Sequence, residues 1–209
     1  MTAALISLVG APGSGKTTVA HWLAPALDGR VVLEDYAGNP FLAASYEGAD
    51  ALRLPGQLWF LLSRVDQLAR GRLGDGETVV SDYGYLQDRI YAEIWLTGDD
   101  FEAYRRVARR VAPLVRSPDV LVLLDGPVGL LMERITERGR GYERRFTEGF
   151  VRRLRDTYRR RLATETSAVV RVDIAQRDLN DQVQRQWLIG RIGEALAGQS
   201  HRDQDHAAL

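Results

Sequence analysis

The chain has 209 residues, 45% of them hydrophobic and 27% charged, and its formal net charge is zero. That is enough for one domain with a substantial core, and the even charge balance argues against a nucleic-acid partner held by bulk electrostatics. Without cysteine it can form no disulfide, thiolate metal site or cysteine nucleophile, which fits a cytoplasmic protein. The N-terminal residues lack the basic start and cleavage site of a signal peptide, and no apolar run is long enough to cross a bilayer.

The predicted elements follow in order. Residues 4–9 form a short apolar run that meets a glycine-rich loop, as a buried strand does when it feeds a turn. Residues 15–27 have helical spacing, with Pro25 expected to loosen the last turn. Residues 31–33 read as a second strand, ending in Glu34 and Asp35. Asn39 is placed to cap a helix starting at Pro40. Residues 52–73 read as one long helix with Leu54, Leu58, Leu61, Leu62, Val65 and Leu68 on one face. A third strand at 78–80 ends in Ser81 and Asp82, and helices are expected over 86–96 and 99–115. The fourth strand, 120–124, ends in Asp125; a helix follows over 128–137, then an arginine-rich turn over 138–145 and a helix over 147–162. A fifth strand at 169–172 and a helix at 181–196 complete the pattern, and the polar segment 198–209 is expected to be a disordered tail. Strands alternating with helices imply an α/β fold, a five-stranded parallel sheet with helices on both faces. Ligands gather at the carboxyl ends of such strands, where Gly10, Glu34, Asp82 and Asp125 stand.

Lys16 is the one lysine of the chain; the other long cationic side chains are arginines. It lies in Gly10-Ala11-Pro12-Gly13-Ser14-Gly15-Lys16-Thr17, a full match to the phosphate-binding pattern G-x-x-x-x-G-K-[ST], with Thr18 next to it. A compact ammonium can reach between β- and γ-phosphates where the broader guanidinium would not fit without strain. The loop should bind a nucleoside triphosphate through backbone N–H groups and the helix N-terminus, with Thr17 ligating Mg²⁺. Glu34 is a candidate general base, or a solvated carboxylate at a strand end. Asp82 can reach the same Mg²⁺ or cap the following helix. Arg134, Arg138 and Arg140 are spaced to converge on a polyphosphate, or to form a solvated basic face. The run Arg152, Arg153, Arg155, Arg159, Arg160 and Arg161 reads as an exposed face paired with carboxylates. The histidines have no partner at metal-ligand spacing. The tryptophans read as core or pocket wall.

These pieces, in order, resemble the deoxynucleoside kinases, particularly the bacterial deoxyadenosine/deoxyguanosine type. The likeness runs from Ile6 to about Ile192. It rests on the loop at Gly10; on Leu33-Glu34-Asp35 and Asn39-Pro40-Phe41-Leu42; on Tyr46-Glu47; on Gln57 with Leu61-Leu62-Ser63-Arg64; on Ser81-Asp82-Tyr83 with Asp88-Arg89; and on the stretch from Arg134 to Glu143. The resemblance implies a P-loop nucleoside kinase architecture in one domain, 1–197, with a lid at 138–145. It makes Glu34 the base for the nucleoside 5′-hydroxyl, Asp82 a Mg²⁺-associated acid, and Gln57, Arg64 and Asp88 the readers of the base. Tyr46 and Glu143 would contact the sugar 3′-hydroxyl, and Arg134, Arg138 and Arg140 the phosphates. Asp173 would begin the loop beside the donor adenine. The implied activity is ATP- and Mg²⁺-dependent phosphorylation of a deoxynucleoside by a homodimer. Gln57 and Asp88 favour adenine, guanine or cytosine over thymine, because they can pair with an exocyclic amine. Many members carry Arg where this chain has Tyr83, so Arg89 or a lid arginine would have to supply that charge. Pocket size is expected to depend on Trp59, Phe60, Tyr85 and Trp95. A nucleoside monophosphate kinase shares the loop and lid but needs more positive charge around 46–57, where only Arg53 occurs. A non-catalytic nucleotide sensor is the other reading.

Overall fold

Strand β1 (Leu5–Val9) is buried at all five positions, so helices must cover both faces of the sheet it belongs to. The computed structural model describes residues 3–73 and 76–207; the first two residues of the expected domain and the end of the expected tail, 208–209, lie outside them. The sheet is parallel throughout, in the order β2-β3-β1-β4-β5, with β2 Arg30–Val32, β3 Val79–Ser81, β4 Val120–Asp125 and β5 Ala168–Asp173. Ile6 and Leu8 join a large cluster with Ala20 and Leu23 of α1 (Lys16–Ala26), while Leu5 joins a second cluster with Leu68, Leu73, Tyr83 and Val115. The alternation of a strand thus fills two separate cores.

The long helix expected over 52–73 is shorter. A 3₁₀ turn at Asp50–Leu52 precedes α3 (Arg53–Gln67), and the chain then turns at Leu68 to form an isolated bridge between Ala69 and Val115. Leu68 and Leu73 are buried from this irregular segment, so apolar spacing continued where helix did not; Gly71 lies in the break. Leu62, expected on the apolar face, is 51% exposed. The buried face of α3 carries Gly56, Gln57, Phe60, Leu61 and Arg64 instead, and two of these are polar because the face looks toward the site. Asn39 does not start a helix at Pro40. Its Oδ1 accepts from Phe41 N–H at 3.0 Å and its Nδ2 donates to Gly56 O at 3.1 Å, pinning a turn to α3 before α2 (Leu42–Tyr46) begins.

Helices α4 (Tyr85–Trp95), α5 (Gly98–Val111) and α6 (Val128–Arg138) fall close to expectation. Gly139, left-handed at φ 65°, ends α6. A 3₁₀ turn at Gly141–Arg145 then leads to α7 (Glu148–Leu162), whose cap Thr147 accepts from Phe150 N–H at 3.2 Å. Helix α8 runs Gln182–Ala207, past the expected helix end at 196; the segment has no proline, and a formed helix propagates at little cost. Among the described residues no helix is long and apolar enough to cross a membrane.

Candidate active site

Leaving β1, the chain turns through Gly10 at φ 146° and Gly13 at φ 80°. A Cβ on Gly10 would lie 2.4 Å from the carbonyl oxygen of Leu124, and one on Gly13 2.4 Å from that of Leu131. Only glycine lets the loop lie this close to β4 and α6. The loop ends at the N-terminus of α1, where helix dipole and free N–H groups favour an anion. Ser14 Oγ is buried without a hydrogen-bond partner among the described residues, as a cradle for an added oxygen requires. Lys16 Nζ donates to Gly10 O at 2.9 Å and Ala11 O at 3.2 Å, folded back over its own loop. Burial lowers its pKa to about 8, against the raising effect of Glu34 and Asp82.

Asp82, just past β3, joins the loop to the next strand end. Its Oδ2 accepts from Thr17 Oγ1 at 2.5 Å and its Oδ1 from Glu34 N–H at 2.7 Å. It does not cap α4, which begins at Tyr85 behind Gly84. Thr17 and Asp82 offer hard oxygen donors that fit Mg²⁺ when phosphate and water complete the shell. Glu34 is 22% exposed and Arg64 and Asp88 are almost fully buried. Arg64 Nη2 donates to Glu34 Oε1 and Nη1 to Asp88 Oδ1, so one guanidinium joins the two carboxylates. Asp88 Oδ2 is buried without a hydrogen-bond partner among the described residues.

One cavity collects Glu34, Tyr46, Gln57, Phe60, Arg64 and Tyr91 with Lys16, Thr17 and Asp82 from the loop side and Arg138, Arg140 and Glu143 from the lid. A second cleft is lined by Gly13, Ser14, Gly15, Thr18, Trp22, Arg134, Arg138, Ile174 and Arg177 with 178–180. The loop and Arg138 are common to both, so a group bound over the loop borders both spaces. In the lid, Arg138 donates to both oxygens of Glu143, at 2.6 and 2.8 Å from Nη2. Arg140 lies 4.0 Å over the Tyr36 ring and donates to Tyr142 Oη at 3.1 Å.

The profile of the deoxynucleoside kinase family matches residues 6–196. The chain belongs to that family. A deoxyguanosine kinase of Bacillus subtilis (strain 168) is 26% identical over 160 residues, 75% of this chain and 77% of that one. A deoxyadenosine/deoxycytidine kinase of the same organism is 23% identical over 201 residues, 92% of this chain and 93% of that one. Among solved structures, deoxyadenosine kinase from M. mycoides with products dCMP and dCDP superposes with a TM-score of 0.78 at 21% identity, covering 91% of this chain and 98% of that one. The same M. mycoides kinase with bound dATP gives 0.77. The fold is therefore that of the P-loop nucleoside kinases, and the chain is an enzyme of nucleoside phosphorylation.

Not every expected residue of this kinase lines the two spaces. Asp125 does not face the cavity; it accepts from Arg155 Nε at 3.1 Å and Arg159 Nε at 2.5 Å, anchoring α7 to the sheet. The arginine run on α7 is indeed paired with carboxylates at Arg152, Arg155, Arg159 and Arg161. Asp173 is turned into its own loop, where Oδ1 accepts from Ala175 N–H at 2.9 Å; Ile174 and Arg177 form the cleft wall. Tyr83 is fully buried away from the site, donating to Gln67 Oε1 beneath the Arg64 guanidinium. Arg89 supplies no charge in its place: it points outward from α4 and pairs with Glu93 at 3.2 Å. Of Trp59, Phe60, Tyr85 and Trp95, only Phe60 lines the acceptor cavity; Trp95 backs it by stacking 4.7 Å from Tyr46, and Tyr85 donates to Ala108 O at 3.1 Å. The sequence reading missed Tyr36, Gln87, Tyr91 and Tyr142. Gln87 and Tyr91 share a helix face at i, i+4 beside Asp88, the one signal that could have found them.

Proposed function

We propose that this kinase transfers the γ-phosphoryl group of ATP to the 5′-hydroxyl of a deoxynucleoside carrying adenine, guanine or cytosine. The observation that carries the reading is the chain Glu34–Arg64–Asp88, in which one cavity-lining guanidinium links a carboxylate beside the phosphate loop to the buried carboxylate of Asp88. Glu34 takes the 5′-hydroxyl proton as that oxygen attacks phosphorus in line, and ADP leaves. Lys16, Arg138 and Arg140 balance the charge on the phosphoryl oxygens, with Arg134 beside the donor. Thr17 and Asp82 would hold Mg²⁺, which would supply further neutralisation of the phosphate charge. Tyr46 and Glu143 hold the sugar. Gln57 offers a donor and an acceptor to the base edge, and the unpartnered Asp88 Oδ2 supports recognition of an exocyclic amine, which thymine lacks. Arg53 pairs with Asp50 at 2.6 Å and lies 4.9 Å from the Trp95 ring centroid, which does not favour a phosphate on the acceptor.

The test is ADP formation with ATP and Mg²⁺ against the four deoxynucleosides and their monophosphates. A response to nucleosides other than thymidine is expected; a response confined to monophosphates, or a preference for thymidine, overturns the reading. Glu34→Gln should lower kcat about 10²- to 10⁴-fold with nucleoside affinity little changed, and unchanged turnover removes Glu34 as the base.

A further inference from the structure

A carboxylate works as a base only if it is held in line with the hydroxyl it deprotonates. Glu34 lies beyond the last residue of β2, outside regular structure, so its side chain needs partners to fix it. Arg64 is one, but that guanidinium is shared with Asp88. The second is Gln87, on the first turn of α4 and 4% exposed, whose Nε2 lies 3.2 Å from Glu34 Oε1 and 3.4 Å from Oε2.

An amide is nearly symmetric in shape, and only its hydrogen bonds decide which end faces a carboxylate. Here the far end is settled by Tyr158 of α7, whose hydroxyl donates to Gln87 Oε1 at 3.0 Å. Tyr158 is 1% exposed, and burial pushes its pKa well above the ordinary value, so it remains a donor. Reversing the amide would set the carbonyl oxygen of Gln87 against the Glu34 carboxylate and withdraw the acceptor from Tyr158. The first change sets acceptor against acceptor, and the second makes Tyr158 accept where it now donates.

We propose that Gln87, oriented by Tyr158, is the positioning residue for the Glu34 base in this kinase. Tyr83 has turned into the core, and the second partner of Glu34 Oε1, beside Arg64, is a neutral amide. An amide steers a carboxylate without adding a second cation that would quench its basicity. Oε1 takes the hydrogen bond from Arg64 and the shorter contact from Gln87, which leaves Oε2 turned to the acceptor hydroxyl. The proposal rests on the reading of Glu34 as the base.

The experiment is a kinetic cycle on the full-length enzyme, with thermal unfolding to check folding and direct titration of the deoxynucleoside for affinity. Gln87→Leu is expected to lower kcat about tenfold to a hundredfold while nucleoside affinity stays within about twofold. Tyr158→Phe should lower kcat about threefold to tenfold in the native background, the worth of one hydrogen bond, and have no further effect in Gln87→Leu. A merely structural tyrosine would act equally in both backgrounds. If Gln87→Leu does not fold, Gln87→Met keeps the length and carries the same cycle. Unchanged kcat at position 87, or equal effects of Tyr158→Phe in both backgrounds, overturns the proposal. Glu34→Gln separates the two readings: an inactive Glu34→Gln beside a fully active Gln87→Leu sinks only the positioning role, whereas an active Glu34→Gln sinks the base itself.

Discussion

The two ends of the acceptor cavity are built by opposite means. The phosphate end is local and made of backbone: six consecutive residues between β1 and α1, among which Gly10 and Gly13 leave no room for a Cβ. The acceptor end is non-local and made of side chains, with Glu34 after β2, Arg64 on α3, Gln87 and Asp88 on α4 and Tyr158 on α7 meeting through hydrogen bonds. A backbone cradle recognises what every phosphate donor shares. A side-chain network can change its specificity by substitution without disturbing that cradle.

The largest contrast should come from removing charge at the phosphate end. Lys16→Met is expected to lower kcat at least about 10³-fold, consistent with the loss of one preorganised charge. The free enzyme should meanwhile remain at least as heat-stable as before, because a partly desolvated ammonium has gone; single-turnover kinetics and thermal unfolding read the two effects. A variant that unfolds would show that Lys16 holds the loop rather than the phosphates.

At the acceptor end the matching change should damage the fold as well. Arg64→Met leaves Glu34 and Asp88 without their common partner, and breaking such buried pairs costs about 3–5 kcal/mol. Denaturant unfolding should show that loss together with a broadened base preference. A stability change under about 1 kcal/mol would mean that solvent reaches Arg64.

A smaller effect is expected from Gly13→Ala, whose Cβ would meet Leu131 O at 2.4 Å in a left-handed backbone. Strain of this kind costs about 1–3 kcal/mol, and the KM for ATP should rise with it. Gly15→Ala shares the positive φ but meets nothing within 4 Å, so it should cost less than Gly13→Ala; equal costs would assign the whole effect to backbone conformation.

The mildest perturbation is pH. Lys16 in the free enzyme titrates at about 8, and raising pH removes the proton that binding needs. The kcat/KM for ATP should therefore be level below that value and fall about tenfold per pH unit above it, while kcat, reporting the bound enzyme, holds to higher pH because phosphate favours the ammonium. Parallel limbs in both profiles would assign the titration elsewhere.

The phosphate loop, the parallel sheet and the strand-end acids Glu34 and Asp82 were legible in the sequence because each depends on neighbours a few residues away. The resemblance to the family singled out Tyr46, Gln57, Arg64, Arg138, Arg140 and Glu143, and these residues line one cavity. Asp125 and Asp173 look the same as Glu34 in sequence, each a carboxylate at a strand end. Packing decides otherwise: α7 brings Arg155 and Arg159 over one, and a tight turn folds back on the other. The same holds for the end of α3, where apolar spacing persists but the backbone leaves to pair with the segment around Val115.

By itself, then, the sequence determined the class of fold, the phosphate cradle and its lysine, since backbone geometry and glycine placement are local physics. Only the tertiary structure decided which way Tyr83, Gln87 and Arg89 face. Three residues within one stretch of seven are sent to the core, to Glu34 and to the solvent. The direction of each is set by helices and strands far along the chain, whose burial energy outweighs any preference those residues have alone.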